Sequence, residues 1–274
     1  MNPLISVIVP IYGVERYIGR CADSLLSQAC PEVEFVFVND GTPDGSMEVL
    51  REVAARYPEA RVKIVEQANA GLPRARMAGL AVSEGTYIVH LDSDDWMEKG
   101  ALKILKDKAL ESGADLIYYD FWKEYAHHSK LDHERRYDPS NKVRWMRRLY
   151  RDAAYGYVWS KMARRELYDG IFVPRLTMHE DIVFSTQLIW RAATIEQLSV
   201  PLVHYRRDNP QASTRMGRSR RRLQSARNML ELFANGGPEV AAVERVLLRK
   251  CFWNALRYDR SLFREYPALK RAYL

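Results

Sequence analysis

The chain has 274 residues, of which 47% are hydrophobic and 28% are charged, so it is a folded protein of one large or two small domains rather than a disordered or collagen-like chain. It contains no run of about 18 apolar residues, and its N-terminal sequence lacks the features of a signal peptide, so we expect a cytoplasmic protein. The net charge of +7 is divided into −7 on residues 1–125 and +14 on residues 126–274, which predicts an anionic partner for the second half.

Short apolar runs alternate with amphipathic segments along the first half of the chain. The runs predict buried strands at Ile5–Val9, Val33–Val38, Val62–Val65, Tyr87–Leu91 and Leu116–Phe121. Helical spacing of apolar residues lies between them, for example at Ile18, Cys21 and Leu25. This order predicts an α/β fold with a mostly parallel sheet and helices on both faces.

Polar residues follow several of these strands, at the end of a parallel sheet where ligands bind. The first strand ends in Pro10 and Tyr12, the second in Asp40, and the fourth in the acidic run from Asp92 to Asp95. No GxGxxG follows the first strand, and no GxxxxGK[ST] occurs in the chain. A bound phosphate would therefore have to be held by a metal or by arginines.

The acidic run offers two carboxylates for a metal. Asp92 and Asp94 are two residues apart, so in an extended stretch both side chains face the same way. Mg²⁺ and Mn²⁺ take one or two protein carboxylates and complete their shell with water and phosphate oxygens. The structural alternative is a turn that caps the next helix.

Two other segments contain residues that suit nucleotide recognition. Asp40 can accept the imide N–H of a uracil ring, although NDGTPDGS is also an ordinary turn sequence. Arg74 and Arg76 lie where the third strand passes into a helix, from which either can reach a diphosphate. The alternative for both arginines is a solvated helix surface.

Four consecutive motifs carry a resemblance to a known family: SVIVPIYGVERYIGRCADSLLSQ, FVFVNDGTPDGS, NAGLPRARMAGL and YIVHLDSDDW. In this order and spacing they resemble the inverting family 2 glycosyltransferases, which have a GT-A fold. The resemblance covers about residues 4–100. Asn39 stands where the family more often has aspartate, but no residue with an implied role is replaced.

The resemblance implies a role for each matching residue. Asp40 reads the base, Asp92 lies near the ribose and Asp94 coordinates Mg²⁺ or Mn²⁺ on the diphosphate. The remaining nucleotide-binding positions are Pro10 and Tyr12 around the uridine, Ser93 within the DxD motif, and Arg76 near the nucleotide.

The second half is interpreted as the acceptor side. Residues 126–150 are polar and lack clear periodicity, which indicates a boundary. We therefore divide the chain into a catalytic domain over 1–210, with a nucleotide-binding half over 1–125 and an acceptor half over 126–210, and a smaller helical region over 211–274. A short helix is expected to open at Val158.

Glu180 and Asp181 begin an apolar helical segment. Acidic residues in a first turn commonly complement the helix dipole, which is the structural interpretation. The pair also resembles the family's Glu-Asp pair, in which the aspartate is the general base. Asp181 is accordingly the predicted catalytic base, and Glu180 is expected to orient the site or the acceptor.

Further contacts with the donor are expected after the base helix. In similar enzymes this segment folds over the donor, so His204, Arg206, Ser213 and Thr214 are candidates to contact the diphosphate. A structural role for His204 is the alternative.

A basic cluster follows, with Arg215, Arg218, Arg220, Arg221 and Arg222 near the start of a predicted helix. The helix dipole disfavours cations at this end, so the cluster favours an anionic partner. A solvated surface and a site for anionic lipid are both consistent with it, whereas nucleic acid is not expected because no recognition module accompanies the charge.

Together these features predict an inverting glycosyltransferase that moves a sugar from a UDP-sugar to a hydroxyl of a glycan or lipid-linked acceptor in cell-surface polysaccharide synthesis. A nucleotidyltransferase of related sheet topology is the enzyme alternative. A non-enzymatic basic module that binds membrane or nucleic acid is the other, but it leaves the conspicuous aspartates without a purpose.

Overall fold

The computed structural model describes residues 2–133, 141–151, 155–210 and 217–273. Packing divides the chain into two compact units. The first comprises Met1–Glu134, Trp159–Asp169 and Ala193–Asn209, and the second comprises Arg135–Val158, Gly170–Ala192 and Pro210–Leu274. These units are defined by contacts, so the functional division at residue 210 stays a prediction.

A mixed sheet forms the centre of the first unit. Its strands are β1 (Ile5–Ile11), β2 (Val33–Asn39), β3 (Arg61–Glu66), β4 (Tyr87–His90), β5 (Trp96–Met97), β6 (Leu116–Glu124), β7 (Ser129–Asp132), β8 (Lys161–Arg164) and β9 (Ile195–Arg206). The order β3-β2-β1-β4 is parallel, as predicted, with Ile5 opposite both Val33 and Tyr87. Every residue of β1 is buried, which explains its continuous apolar sequence.

Beyond β4 the sheet is mixed, with both antiparallel and parallel pairs of strands. β8 pairs antiparallel with β4 and with β6, β9 runs parallel to β6, and β5 and β7 add antiparallel pairs at β9 and β6. The prediction of a short helix at Val158 is wrong: Val158–Ser160 forms a single 3-10 turn, and the chain then enters β8. The gain from burying Met162 and Ala163 between two strands outweighs local helical preference.

Helices flank this sheet and follow the predicted spacing. They are α1 (Glu15–Leu26), α2 (Ser46–Ala54), α3 (Leu72–Val82) and α4 (Ala101–Ser112). A Cβ at Gly79 of α3 would lie 2.5 Å from Cγ2 of Ile8, so glycine allows this helix to pack closely on β1. The same packing sets the position of Arg76, one turn earlier on α3.

The described part of the second unit is mainly helical, with α5 (Lys142–Tyr150), α6 (Glu180–Arg191), α7 (Arg218–Asn235), α8 (Pro238–Tyr258) and α9 (Leu262–Glu265). Val183, Leu232 and Val240 form a buried cluster among α6, α7 and α8. These C-terminal helices confirm the helical prediction for that region. None of the helices in the described ranges has a stretch both long and apolar enough to cross a bilayer.

Candidate donor and base sites

Asp40, directly after β2, holds the loop that leads into α3. Its carboxylate accepts hydrogen bonds from Gln67 Nε2 at 2.6 Å, from the Ala70 amide at 2.8 Å and from the Gly71 amide at 3.0 Å. The side chain is buried. Asp40 therefore connects the end of β2 to the start of α3, at the edge of the sheet where the sequence predicts the nucleotide.

Pro10 and Tyr12, the predicted wall around the uridine, differ in exposure. Pro10 lies within buried β1, whereas Tyr12 is 52% exposed and so presents a ring to a ligand. The loop beyond Tyr12 is anchored because the Gly13 amide donates to Thr42 Oγ1 at 2.9 Å and Thr42 Oγ1 donates to Asp44 at 2.7 Å. The TPDGS segment thus fixes the loop that carries Tyr12.

Arg76 and Asp92 form an ion pair beneath the acidic turn. The guanidinium of Arg76 is only 1% exposed and donates to Asp92 Oδ1 at 2.9 Å, while Asp92 keeps 25% of its side chain in water. Burial of His90 lowers the pKa of its imidazole well below the usual range, and the positive charge of Arg76 lowers it further. Arg76 thus orients Asp92 from inside the protein, and its predicted contact with the nucleotide stays a prediction.

Asp94 is held by the end of β9. Asn209 Nδ2 donates to Asp94 Oδ2 at 2.7 Å, and Arg206 Nε donates to the Asp94 carbonyl at 3.1 Å. The Arg206 amide also donates to Asp95 Oδ1 at 2.7 Å. The structure thereby brings predicted Arg206 to the acidic turn and adds Asn209, which was not predicted.

Two carboxyl groups of the turn, those of Asp94 and Asp95, have a raised pKa. Burial and then the Asp92 charge raise the pKa of Asp94, and burial together with the charges of Asp94 and Asp92 raises that of Asp95 well above its usual range. Asp95 Oδ2 is buried with no hydrogen-bond partner among the described residues. Ser93, within the same turn, is also buried.

The carboxylate oxygens of the acidic turn suit a divalent cation. A cation relieves the repulsion between adjacent carboxylates, and hard oxygen ligands suit Mg²⁺ and Mn²⁺. Across the described ranges no group of three or more His, Cys, Asp or Glu side chains is arranged to hold a metal. A cation held by Asp92 and Asp94 would therefore need further oxygen ligands from outside the protein, as is usual for Mg²⁺.

His204 is fixed on both sides by carboxylates. Its Nε2 lies 2.9 Å from Glu98 Oε2, its Nδ1 lies 2.7 Å from Glu124 Oε1, and its ring stacks on Trp96 with centroids 4.9 Å apart. The Arg206 guanidinium also lies over Trp96, 5.1 Å from the ring centroid. These contacts favour the structural interpretation of His204. Its side chain stabilises the end of β9, where Arg206 lies.

The predicted base lies in the second unit. Asp181 is in the first turn of α6, and its Oδ1 accepts a hydrogen bond from the Val158 amide at 3.4 Å. Glu180, beside it, is buried. The preceding residue, His179, has a φ of 61°, an uncommon conformation for a residue other than glycine.

The segment before α6 is fastened to α7, which explains how this conformation is maintained. Asn228 Nδ2 donates to the Leu176 carbonyl at 2.6 Å and to the Met178 carbonyl at 3.0 Å. His179 Nδ1 lies 2.7 Å from Ser225 Oγ. The first turn of α6, with Glu180 and Asp181, is therefore held rigidly within its unit.

Two groups of residues mark the limits of the sequence interpretation. Asp95 and Asn209 were missed as site residues; the only available signal was the adjacency of Asp95 to the DxD motif, since Asn209 pairs with Asp94 across 115 positions of sequence. Ser213, Thr214 and Arg215 lie outside the described residues.

We expect Arg76→Met to lower the free energy of unfolding by about 1 to 3 kcal/mol. The change leaves the partly buried Asp92 carboxylate without its cation, and the remaining exposure of Asp92 keeps the cost below that of a fully buried pair. Chemical denaturation would measure it, with the exposed Arg74→Met on the same helix as the control. Equal stability of the two variants would contradict the assigned role, and introducing Asp92→Asn first should reduce the cost.

Comparison with known sequences identifies a family and relatives that match most of the chain. The sequence model described as Glycosyl transferase family 2 matches residues 6–172. A glycosyltransferase of Bacillus subtilis (strain 168), EpsJ, described as uncharacterized, is 32% identical over 222 residues, which are 78% of this chain and 64% of the relative. The chain therefore spans less than two thirds of that relative's length.

Solved structures match the fold over nearly the whole chain. Staphylococcus aureus TarS 1-349 in complex with UDP-GlcNAc is 20% identical, with a TM-score of 0.71 over 99% of this chain and 79% of TarS. The mannosyltransferase PcManGT from Pyrobaculum calidifontis, in complex with GDP-Man and Mn²⁺, is 17% identical, with a TM-score of 0.64 over 98% and 76%. At these identities the likeness confirms the fold alone.

Proposed function

Because the chain belongs to glycosyl transferase family 2, we propose that it transfers a sugar from a UDP-sugar to a hydroxyl of a glycan or lipid-linked acceptor, with inversion, in the synthesis of a cell-surface polysaccharide. The observation that carries this proposal is the acidic turn, in which Arg76 orients Asp92 and Asn209 orients Asp94. A nucleotidyltransferase would instead need a glycine- and lysine-rich loop after β1, where this chain has PIYG.

Donor binding divides among the residues at the carboxyl ends of β1, β2 and β4. Tyr12 offers an exposed ring to the uracil, and the carboxylate of Asp40 is the proposed acceptor for the imide N–H of that base. Asp92 lies toward the ribose, and Asp94 toward the diphosphate. A Mg²⁺ or Mn²⁺ ion held by Asp92 and Asp94 would neutralise the charge that develops on the leaving diphosphate. The Mn²⁺ in the PcManGT complex supports this assignment.

Transfer requires a proton acceptor for the attacking hydroxyl. Its oxygen forms a bond to the anomeric carbon while the bond from that carbon to the diphosphate oxygen breaks, so the configuration inverts. Asp181 takes the hydroxyl proton, and UDP leaves with the electron pair of the broken bond. The attachment of the preceding segment to α7 by Asn228 keeps this carboxylate in place, while Glu180 orients the acceptor.

Thermal unfolding tests donor binding. UDP and Mn²⁺ added together, at about 100 times the dissociation constant, should stabilise the protein by about 2.7 kcal/mol and raise its melting temperature by several degrees. UDP with EDTA and Mn²⁺ alone are the controls, and each should give a much smaller shift. GDP in place of UDP tests the choice of base, and the absence of any shift with either nucleotide would contradict the proposal.

Peripheral contact with an anionic membrane at its cytoplasmic face is the last part of the proposal. It rests on the net positive second half and on Arg218 and Arg220, which are exposed at the start of α7. Each such residue contributes about 1 kcal/mol near an anionic surface before screening by salt.

Co-sedimentation with vesicles tests this contact. The wild-type protein should bind vesicles of phosphatidylcholine and phosphatidylglycerol at low salt, and a variant with Arg218, Arg220, Arg221 and Arg222 changed to Gln should not. Pure phosphatidylcholine vesicles are the control. A wild-type protein that ignores the anionic vesicles at low salt would rule the contact out.

A further inference from the structure

A cavity of about 240 Å³ lies within the second unit, at the start of α7. The residues that matter for its chemistry are Arg218, Arg221 and Arg222 of α7, Lys250 and Asn254 of α8, and His179 before α6. No acidic side chain lines it among the described residues. Since a water molecule occupies about 30 Å³ in the liquid, the cavity has room for a group of several heavy atoms.

The charges around this cavity are of one sign. Three arginines and Lys250 repel one another across a small volume, and α7 begins beside them with the positive end of its dipole. The first turn of α7 contains no acidic residue, and Gly217 at its N-terminus provides no side-chain cap. An anion bound in the cavity would offset this repulsion and accept hydrogen bonds from the uncapped amides.

Buried hydrogen-bond donors point to the same conclusion independently of net charge. Asn254 is only 4% exposed, lines the cavity, and has no partner for its Nδ2 among the described residues. Arg221 Nε is buried and likewise has no partner there. Buried donors are almost always paired in folded proteins, so these two indicate a ligand with acceptor oxygens.

We infer that this cavity binds a phosphate or diphosphate group. Arginine side chains match phosphate oxygens geometrically, and the Asn254 amide adds a neutral donor. The source of this group is inferred to be a lipid-linked acceptor, and this step rests on the proposed function. His179 lines the cavity and directly precedes Glu180 and Asp181, so the site places the acceptor's phosphate beside the residues that act on its hydroxyl.

Calorimetry with inorganic pyrophosphate in EDTA tests the site, since EDTA removes metal-dependent binding at the donor site. The wild-type protein should bind one pyrophosphate. Arg221→Gln and Asn254→Leu should each weaken binding at least about tenfold, because hydrogen bonds to charged groups are strong. The matched control is Arg220→Gln, which removes the same charge from an exposed position of the same helix that does not line the cavity.

The outcomes are distinct. Wild-type protein that binds no pyrophosphate, or equal losses in Arg220→Gln and Arg221→Gln with no effect of Asn254→Leu, would overturn the site in favour of a diffuse basic surface. Should Asn254→Leu fail to fold by circular dichroism, Asn254→Ser and Arg221→Gln decide the question.

Vesicles identify the source of the phosphate. If the acceptor supplies the group, the Arg221→Gln and Asn254→Leu variants should bind more weakly than wild type to phosphatidylcholine vesicles doped with a polyprenyl phosphate. If a lipid headgroup supplies it, the same variants should bind more weakly than wild type to phosphatidylglycerol vesicles. The proposed function fails separately: UDP with Mn²⁺ would then give no thermal shift, although pyrophosphate still binds. Conversely, a normal UDP response in a protein that does not bind pyrophosphate removes the phosphate site alone.

Discussion

Asp181→Asn should reduce kcat by about 10² to 10⁴ while leaving the dissociation constant for UDP nearly unchanged. Asparagine has almost the same shape as aspartate and can retain the contact with the Val158 amide, but it cannot accept the hydroxyl proton. In the proposed donor site, nucleotide affinity depends instead on residues of the first unit, among them Asp40 and Asp94. Steady-state kinetics and calorimetry on the same preparation would measure both quantities.

Glu244→Gln is the control for this prediction, because it makes the same chemical change at an exposed position of α8 in the same unit. It should keep the wild-type kcat. An Asp181→Asn enzyme with more than about a third of the wild-type kcat lies far outside the range for loss of a general base and would exclude Asp181. His179 and Glu180 would then be the next residues to test.

Asp94→Ala should weaken the binding of UDP in the presence of Mn²⁺ by at least about a hundredfold, since even residues that only support a metal ligand typically contribute 10- to 100-fold. The protein should nevertheless melt within a few degrees of wild type. Burial and the Asp92 charge raise the pKa of Asp94, so its ionised form disfavours folding at neutral pH, and the loss of that charge offsets the lost contact with Asn209.

Asp107→Ala provides the comparison, because Asp107 lies on α4 in an exposed pair with Lys103 whose contribution to stability is small. It should leave UDP affinity unchanged. Calorimetry that finds wild-type affinity for UDP and Mn²⁺ in Asp94→Ala would refute the metal assignment, and a large loss of stability would show that Asp94 is structural instead.

Local patterns were sufficient for most elements of the first unit. β1 is apolar throughout because it is buried on both faces, and the spacing of Ile18, Cys21 and Leu25 follows the buried side of α1. Both signals arise from neighbours along the chain. The segment after Val158 was misread because its pairing with β4 and β6 depends on residues about 40 to 75 positions away.

The candidate donor site was predictable to the extent that a strand end identifies it. Asp40 directly follows β2, Asp92 and Asp94 lie in the turn after β4, and parallel strands bring their carboxyl ends to one edge. The contacts that orient these carboxylates were not predictable. Asn209 and Arg206 reach the acidic turn only because β9 returns beside β6 and β5, which no local pattern specifies.

The sequence by itself thus determined the α/β class, the parallel strands and the position of the acidic residues after β4, because burial period and motif spacing are local properties. Only the tertiary structure decided which partners hold those acidic residues, that Arg76 lies beneath Asp92, and that Asn254 lines a cavity with the arginines of α7. Those relations depend on packing between distant segments, and the energy of that packing depends on shapes that a one-dimensional pattern does not contain.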